Sequence, residues 1–292
     1  MIKTGGIMKK LGLMVCTNSA IDYIDHGIDV KVVRSTILLG DKEYVDYEEL
    51  TADKFYDKLE EDSSIFPRTS MPSTGKILEF YEELKADGCD TILFVTISKN
   101  MSGIYDNAML AARMIDGIDI HVFDSKSVGY IECKLIFAAH EGCKAGKSLD
   151  EILEDMVYIR DNNKIYFAVS DLRYLVKNGR LSNAQALMAN VLKIKPLLEI
   201  NEDGKVVSIE KIRTFKKAVN RVIEKFLDET KELEVEPFII HANNPETAEY
   251  IKNKVLEARP EYKEIPDYLL TPAVGAHSGP KAITIGYIKT RK

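Results

Sequence analysis

The sequence predicts an α/β protein of two lobes, a parallel-sheet lobe over residues 10–160 and a mixed α/β lobe over residues 161–292. Two patterns carry that prediction. In the first half, short apolar runs alternate with segments of helical periodicity, which is how a parallel sheet with crossover helices is written. In the second half, two strand-like runs are joined by Asn201-Glu202-Asp203-Gly204, a hairpin signal that parallel sheets do not use. A chain of 292 residues with 45% hydrophobic content is long enough to build either one large core or two smaller ones.

In the first lobe, Met1–Lys10 is a polar lead and Leu11–Cys16 reads as a buried strand running into the polar turn Thr17-Asn18-Ser19. Thr91–Ile97 and Ile118–Phe123 read as further strands. Ile77, Leu78, Tyr81 and Leu84 mark a helix before the former, and Ala108, Ala111, Ala112 and Ile115 mark one between the two. Apolar residues then recur at helical spacing from Val128 to Cys143. The capping box Ser148-x-x-Glu151 opens a helix carrying Ile152, Leu153, Met156 and Val157.

In the second lobe, Ile165–Val169 and Pro196–Ile200 are expected strands, the latter paired through the turn with Lys205–Ile212. Gly179 is placed to end a turn of helix over Leu172–Lys177, and Ser182 to cap a helix bearing Ala186, Leu187, Ala189, Asn190 and Val191. Ala218, Val219, Val222, Ile223, Phe226 and Leu227 form an apolar helical stripe expected in the core. Phe238–Ala242, a helix from Pro245 to about Glu257, and strands at Tyr268–Leu270 and Ala282–Ile288 complete the lobe.

Composition excludes several functions. A net charge of −6 with both signs interleaved offers no basic face for nucleic acid, and the absence of Trp leaves no stacking platform. Apolar runs are too short to span a membrane and no apolar leader is present, so a soluble, cytoplasmic protein is expected. Cys16, Cys89, Cys133 and Cys143 are too widely spaced for zinc and are expected to be reduced, buried thiols.

Familiar chemical motifs fail one after another. Gly146-Lys147-Ser148 resembles the end of a phosphate-binding loop, but Glu141 stands where that loop needs glycine. Zinc-protease, EF-hand and dinucleotide fingerprints are missing, so no cofactor is expected. His26, His121, His140 and His241 are isolated. Gly275-Ala276-His277-Ser278-Gly279 sets its serine one place late for a nucleophile elbow, which leaves an esterase-like hydrolase as a weak alternative. What remains is a series of hydroxyl residues in turn-like segments: Asn18-Ser19, Thr69–Ser73, Ser98 to Ser102-Gly103, Asp124-Ser125 and His277–Pro280. Each alone reads most simply as a cap or turn residue. Their shared placement after expected strands points to a ligand at the carboxyl edge of a sheet.

Those segments resemble the ordered motifs of the DegV family, the fatty-acid-binding subunits of bacterial fatty acid kinases. The family's D-S-T-A-D opening appears as Asn18-Ser19-Ala20-Ile21-Asp22, its T-S-x-P-S as Thr69–Ser73, and its S-G-T-Y as Ser102-Gly103-Ile104-Tyr105. D-S-K-S stands intact at Asp124–Ser127, L-x-Y-L-x-x-x-G-R-I-S corresponds to Leu172–Ser182, and G-A-H-x-G-P-G to Gly275–Lys281. The likeness runs from about Leu11 to Ile288, with Asn18, Ile104 and Lys281 as departures.

The resemblance implies a two-lobed DegV-like fold that holds a long-chain fatty acid such as palmitate, stearate or oleate in a buried tunnel between the lobes. It implies a carboxylate held by Thr69 or Ser70, Ser102 with Gly103, and His277 with Ser278, with Arg213 at a basic position nearby. It also implies a non-catalytic subunit whose lipid is presented to a separate ATP-dependent kinase for acyl-phosphate formation and phospholipid synthesis. Arg173 and Arg180 are the expected contacts for that partner. Transient contact with a membrane surface fits such a role, and a lipid-sensing regulatory protein is the main alternative.

Overall fold

The computed structural model describes residues 10–62, 64–182, 184–186 and 193–291. Leu11–Cys16 forms β1, and Thr17–Ser19 follows it as a turn of 3-10 helix rather than an open loop. Next come β2 (Lys31–Val33), β3 (Thr36–Leu39), β4 (Lys42–Val45), α1 (Ala52–Glu61), β5 (Arg68–Ser70) and α2 (Thr74–Ala86). β6 (Thr91–Thr96), α3 (Ile104–Ala112), β7 (Asp119–Asp124), α4 (Tyr130–Lys144) and α5 (Leu149–Asp161) complete the first half. The second half holds β8 (Asn163–Ala168), α6 (Arg173–Lys177), β9 (Leu197–Ile200), β10 (Val206–Glu210) and α7 (Phe215–Thr230). It ends with β11 (Val235–His241), α8 (Pro245–Ala258), β12 (Asp267–Leu269), α9 (Pro272–Ser278) and β13 (Ile283–Lys289). The helix predicted after Ser182 falls largely outside the described residues, which show only a 3-10 turn at Ala184–Ala186 there.

Three sheets organise these elements. The first is all parallel in the order β2-β1-β6-β7, the second is mainly antiparallel in the order β10-β9-β8-β13-β11-β12, and a small antiparallel sheet runs β4-β3-β5. The small sheet was not predicted. Its strands are three or four residues long and half exposed, too short to display a period.

The layers follow from which face of each element is apolar. α2 and α3 cover one face of the parallel sheet through Ile77, Tyr81, Ile104 and Ala108, packed on Met14, Ile92 and Phe94. α7 and α8 cover the outer face of the six-stranded sheet through Val222, Phe226, Ile251 and Val255, packed on Tyr166, Ile283 and Ile285. The inner faces of both sheets share a single core with α4 and α5, so the two halves meet across buried side chains and not across a solvated cleft. The capping box on Ser148 is formed as predicted, with Glu151 bonded back to the Ser148 N–H. Cys16, Cys89 and Cys133 are buried and Cys143 is half-buried, all as free thiols. Among the described residues no helix is long and apolar enough to cross a membrane.

Among the contacts that bind the halves, two frame the cavity. The turn at Asn201–Gly204 meets the loop after β6: Ser98 Oγ donates to the Gly204 carbonyl at 2.7 Å and Asn100 Nδ2 donates to the Asp203 carbonyl at 2.7 Å. Gly204 has φ +74°, and a Cβ there would clash with Ser98 Oγ, so the position requires glycine twice over. The second connection is α9, which belongs to the second half by sequence but packs against α1, β3 and β5. The sequence reading treated part of this segment as a turn. The last helical residue is Ser278, and Gly279, at φ +76°, ends it.

Candidate functional site

A cavity of about 420 Å³ opens between the two large sheets. Its floor is the inner face of the six-stranded sheet. Alternation along the strands puts Ile165 and Phe167 of β8, Ile200 of β9, Val206 of β10, Ile240 of β11 and Thr284 of β13 on that face. Leu175, Val128, Ile97 and Leu270 add apolar walls. The other end is polar and is assembled from the loops at the carboxyl ends of β1 and β6, from β5 and from α9. They contribute Asn18, Ser102 with Gly103, Thr69 with Ser70, and His277 with Ser278; Ser35 joins them from the connection between β2 and β3.

His277 is the centre of the polar end. Its Nε2 lies 2.9 Å from Thr69 Oγ1, linking α9 to β5 across 208 residues of sequence. Burial, helped by the neighbouring charge of Arg180, lowers its pKa from 6.5 to about 4, so at neutral pH the ring is uncharged. With the proton on Nε2, His277 donates to Thr69 and leaves the Thr69 O–H free to donate into the cavity. The other ring nitrogen, Nδ1, is buried without a partner. Asn18 is buried and its Oδ1 has no partner, while its residue borders the cavity. Ser102 Oγ accepts weakly from the Ile104 N–H at 3.4 Å and keeps its own proton free.

α9 is held in place from behind. Asp46, fully buried on the turn after β4, accepts from the Ala273 N–H at 3.2 Å and from Thr17 Oγ1 at 2.9 Å. Burial raises its pKa from 3.8 to about 7. Tyr56 of α1 donates to the Leu270 carbonyl at 2.9 Å and lies so close to Gly275 that any side chain there would strike its ring. This contact accounts for the first glycine of the Gly275–Gly279 segment.

The structure brings together Thr69, Ser70, Ser102, Gly103, His277 and Ser278 from the sequence-predicted set. Arg213 is separated from them. It is exposed on the β10–α7 connection and lines a surface hollow with Glu210, Lys217 and Arg221. Arg180 borders the cavity, its guanidinium donating to the Met101 carbonyl at 3.0 Å and the Asn178 carbonyl at 2.6 Å. Arg173 is outside, paired with Asp171 at 2.5 Å and set over the Phe66 ring at 5.2 Å.

Other hydroxyls of the series are structural. Ser73 caps α2 by accepting from the Lys76 N–H, Ser98 forms the clasp described above, and Ser125 bonds the Ser127 carbonyl. Ser278 Oγ turns toward the Gly279 carbonyl at 3.3 Å, and His277 bonds Thr69, so the serine–histidine–carboxylate relay of a hydrolase is not assembled here. Asn18 and Ser35 were missed as cavity residues. Asn18 carried a signal through its motif; Ser35 has no local pattern that marks it.

Comparison with known proteins finds similarity over nearly the whole chain. Residues 13–290 match the family model described as uncharacterised protein, DegV family. A DegV domain-containing protein of Staphylococcus aureus is 31% identical over 283 residues, covering 96% of this chain and 97% of the relative. Among solved structures, a fatty acid binding DegV family protein from Streptococcus agalactiae superposes with a TM-score of 0.86 at 30% identity, covering 97% of this chain and 99% of that one. DegV from Bacillus subtilis, a fatty acid binding protein, gives 0.81 at 27% identity, covering 96% and 99%. With its two-sheet frame, its ordered motifs and the match from residue 13 to residue 290, this chain belongs to the DegV family.

Proposed function

We propose that this protein binds one long-chain fatty acid non-covalently, with the acyl chain on the mainly apolar floor and the carboxylate at the hydroxyls of Thr69 and Ser102, the former oriented by His277. The observation that carries the reading is the division of one cavity into a mainly apolar floor and a polar end where Thr69 and Ser102 keep hydroxyl protons free. Apolar burial supplies the affinity: at roughly 0.8 kcal/mol per methylene, a palmitate-length chain contributes on the order of 10 kcal/mol before entropic costs. The hydroxyl donors satisfy the carboxylate without requiring a buried counter-ion, and Arg180 at the rim adds favourable charge. The fatty acid binding of the Streptococcus agalactiae and Bacillus subtilis relatives supports the same ligand class.

The protein acts as a carrier and does no chemistry on the lipid. The bonds that Ser278 and His277 make favour this over hydrolysis. In the cytoplasm the carrier presents its carboxylate, with transient membrane contact, to a separate ATP-dependent kinase that forms the acyl phosphate for phospholipid synthesis. Native mass spectrometry of the purified protein tests the binding. A mass increment of one fatty acid, lost on denaturation, is expected; lipid-free protein whose Tm does not rise with palmitate or oleate refutes it. Acyl-phosphate formation on adding kinase and ATP tests presentation, and product without kinase refutes the carrier role.

A further inference from the structure

The floor of the cavity has one polar side chain. Thr284 sits midway across the six-stranded sheet, paired with Phe167 on one side and Ile240 on the other, in a row whose next members are Ile165, Gly286 and Phe238. Its strand is flanked by strands on both edges and its sheet is covered on both faces, yet Thr284 keeps partial accessibility, and it borders the cavity. Its hydroxyl makes no hydrogen bond with any described residue. Thr284 lies two residues, roughly 7 Å, beyond Ala282, which also borders the cavity and connects through Gly279–Lys281 to the end of α9. It therefore faces the path of the acyl chain, away from the head-group donors. Valine has nearly the same shape and would complete the apolar floor, so the hydroxyl is the whole difference.

We propose that Thr284 makes this cavity selective for acyl chains carrying a mid-chain oxygen, a hydroxy or keto fatty acid. The inference rests on the acyl-binding reading above. A hydroxyl carried into an aliphatic tunnel loses its water hydrogen bonds, and an unpaired one there is costly. Thr284 can donate to a keto oxygen or both donate to and accept from a hydroxyl, which removes that penalty for one range of positions along the chain. No other residue of the sheet floor offers this, since Ile165, Phe167, Ile200, Val206 and Ile240 are all apolar.

The experiment compares stearate with a series of hydroxystearates that differ in hydroxyl position, measured by calorimetry on wild-type protein and on Thr284→Val. For at least one positional isomer, the ratio of hydroxystearate to stearate affinity should fall roughly three- to tenfold in the variant, with stearate binding as tightly or more tightly. Unchanged ratios across the series, with stearate still bound, overturn this assignment and leave the carrier reading standing. Wild-type protein that binds no stearate overturns both.

Discussion

The two ends of the cavity are built in opposite ways. The floor comes from five strands of one sheet, four contributing one or two apolar side chains by simple alternation and β13 contributing Thr284, and no single position defines its apolar surface. The polar end comes from segments scattered from Asn18 to Ser278, and it closes only because α9 reaches across to the small sheet. A pleated floor tolerates exchange of similar apolar residues, whereas a constellation from five separate segments depends on each support. Affinity resides mainly in the first region and head-group position in the second.

A charge in the floor is the most severe test. Phe167→Glu should lower acyl affinity by at least about 100-fold, because an unpaired carboxylate would be buried against the chain. Calorimetry with palmitate reads it, and circular dichroism checks that the fold persists. Binding within tenfold of wild type would mean that the chain does not lie on this sheet.

At the polar end, His277→Ala should cost about 1–3 kcal/mol of binding, since it removes the Thr69 contact and reorients that hydroxyl. Thr69→Val and Ser102→Ala should each cost about 0.5–1.5 kcal/mol. If these variants lose stability but bind normally, the hydroxyls serve the fold alone. Losses additive between Thr69→Val and His277→Ala would break the idea that the two act as a linked pair; strong non-additivity sharpens it.

The smallest effect concerns pH. Asp46 has its pKa raised to about 7 from 3.8, so the native state holds its proton more tightly, and this contribution to stability is present below 3.8 and lost as pH rises through about 7. His277 runs the other way: with its pKa lowered to about 4 from 6.5, its contribution is present above 6.5 and lost as pH falls through about 4. Urea titrations should show Asp46→Asn removing a fall in stability between about pH 4 and 7, and His277→Gln removing an opposing rise over nearly the same window. Profiles parallel to wild type would show that neither group titrates as its burial implies.

How legible each region was follows the same division. The long strands were readable because burial on both faces leaves uninterrupted apolar runs, as in Thr91–Thr96, and the hairpin because Asn201–Gly204 has the turn chemistry. β3, β4 and β5 were invisible at three or four residues each, although β5 carries Thr69. His277–Pro280 reads as a turn in sequence, although His277 and Ser278 are the last residues of α9; Gly275 within that helix is there for Tyr56, a contact across more than two hundred positions that no local pattern displays. Motif order picked out Thr69, Ser102 and His277, but a basic residue following a strand says nothing about which way its loop turns, and Arg213 turned outward.

The clasp between the halves bears on which mutations this chain can absorb. Both acceptors, at Asp203 and Gly204, are main-chain carbonyls, so replacing the Asp203 side chain leaves its acceptor in place. Genetic fragility falls instead on the donors Ser98 and Asn100, on Asn201, whose Oδ1 accepts from the Asp203 and Lys205 N–H groups and holds the turn, and on the left-handed backbone of Gly204. The exposed Glu202–Asp203 tip can vary freely in charge while the lobes stay fastened, which makes it a permissive place to attach a fluorophore that reports on their separation.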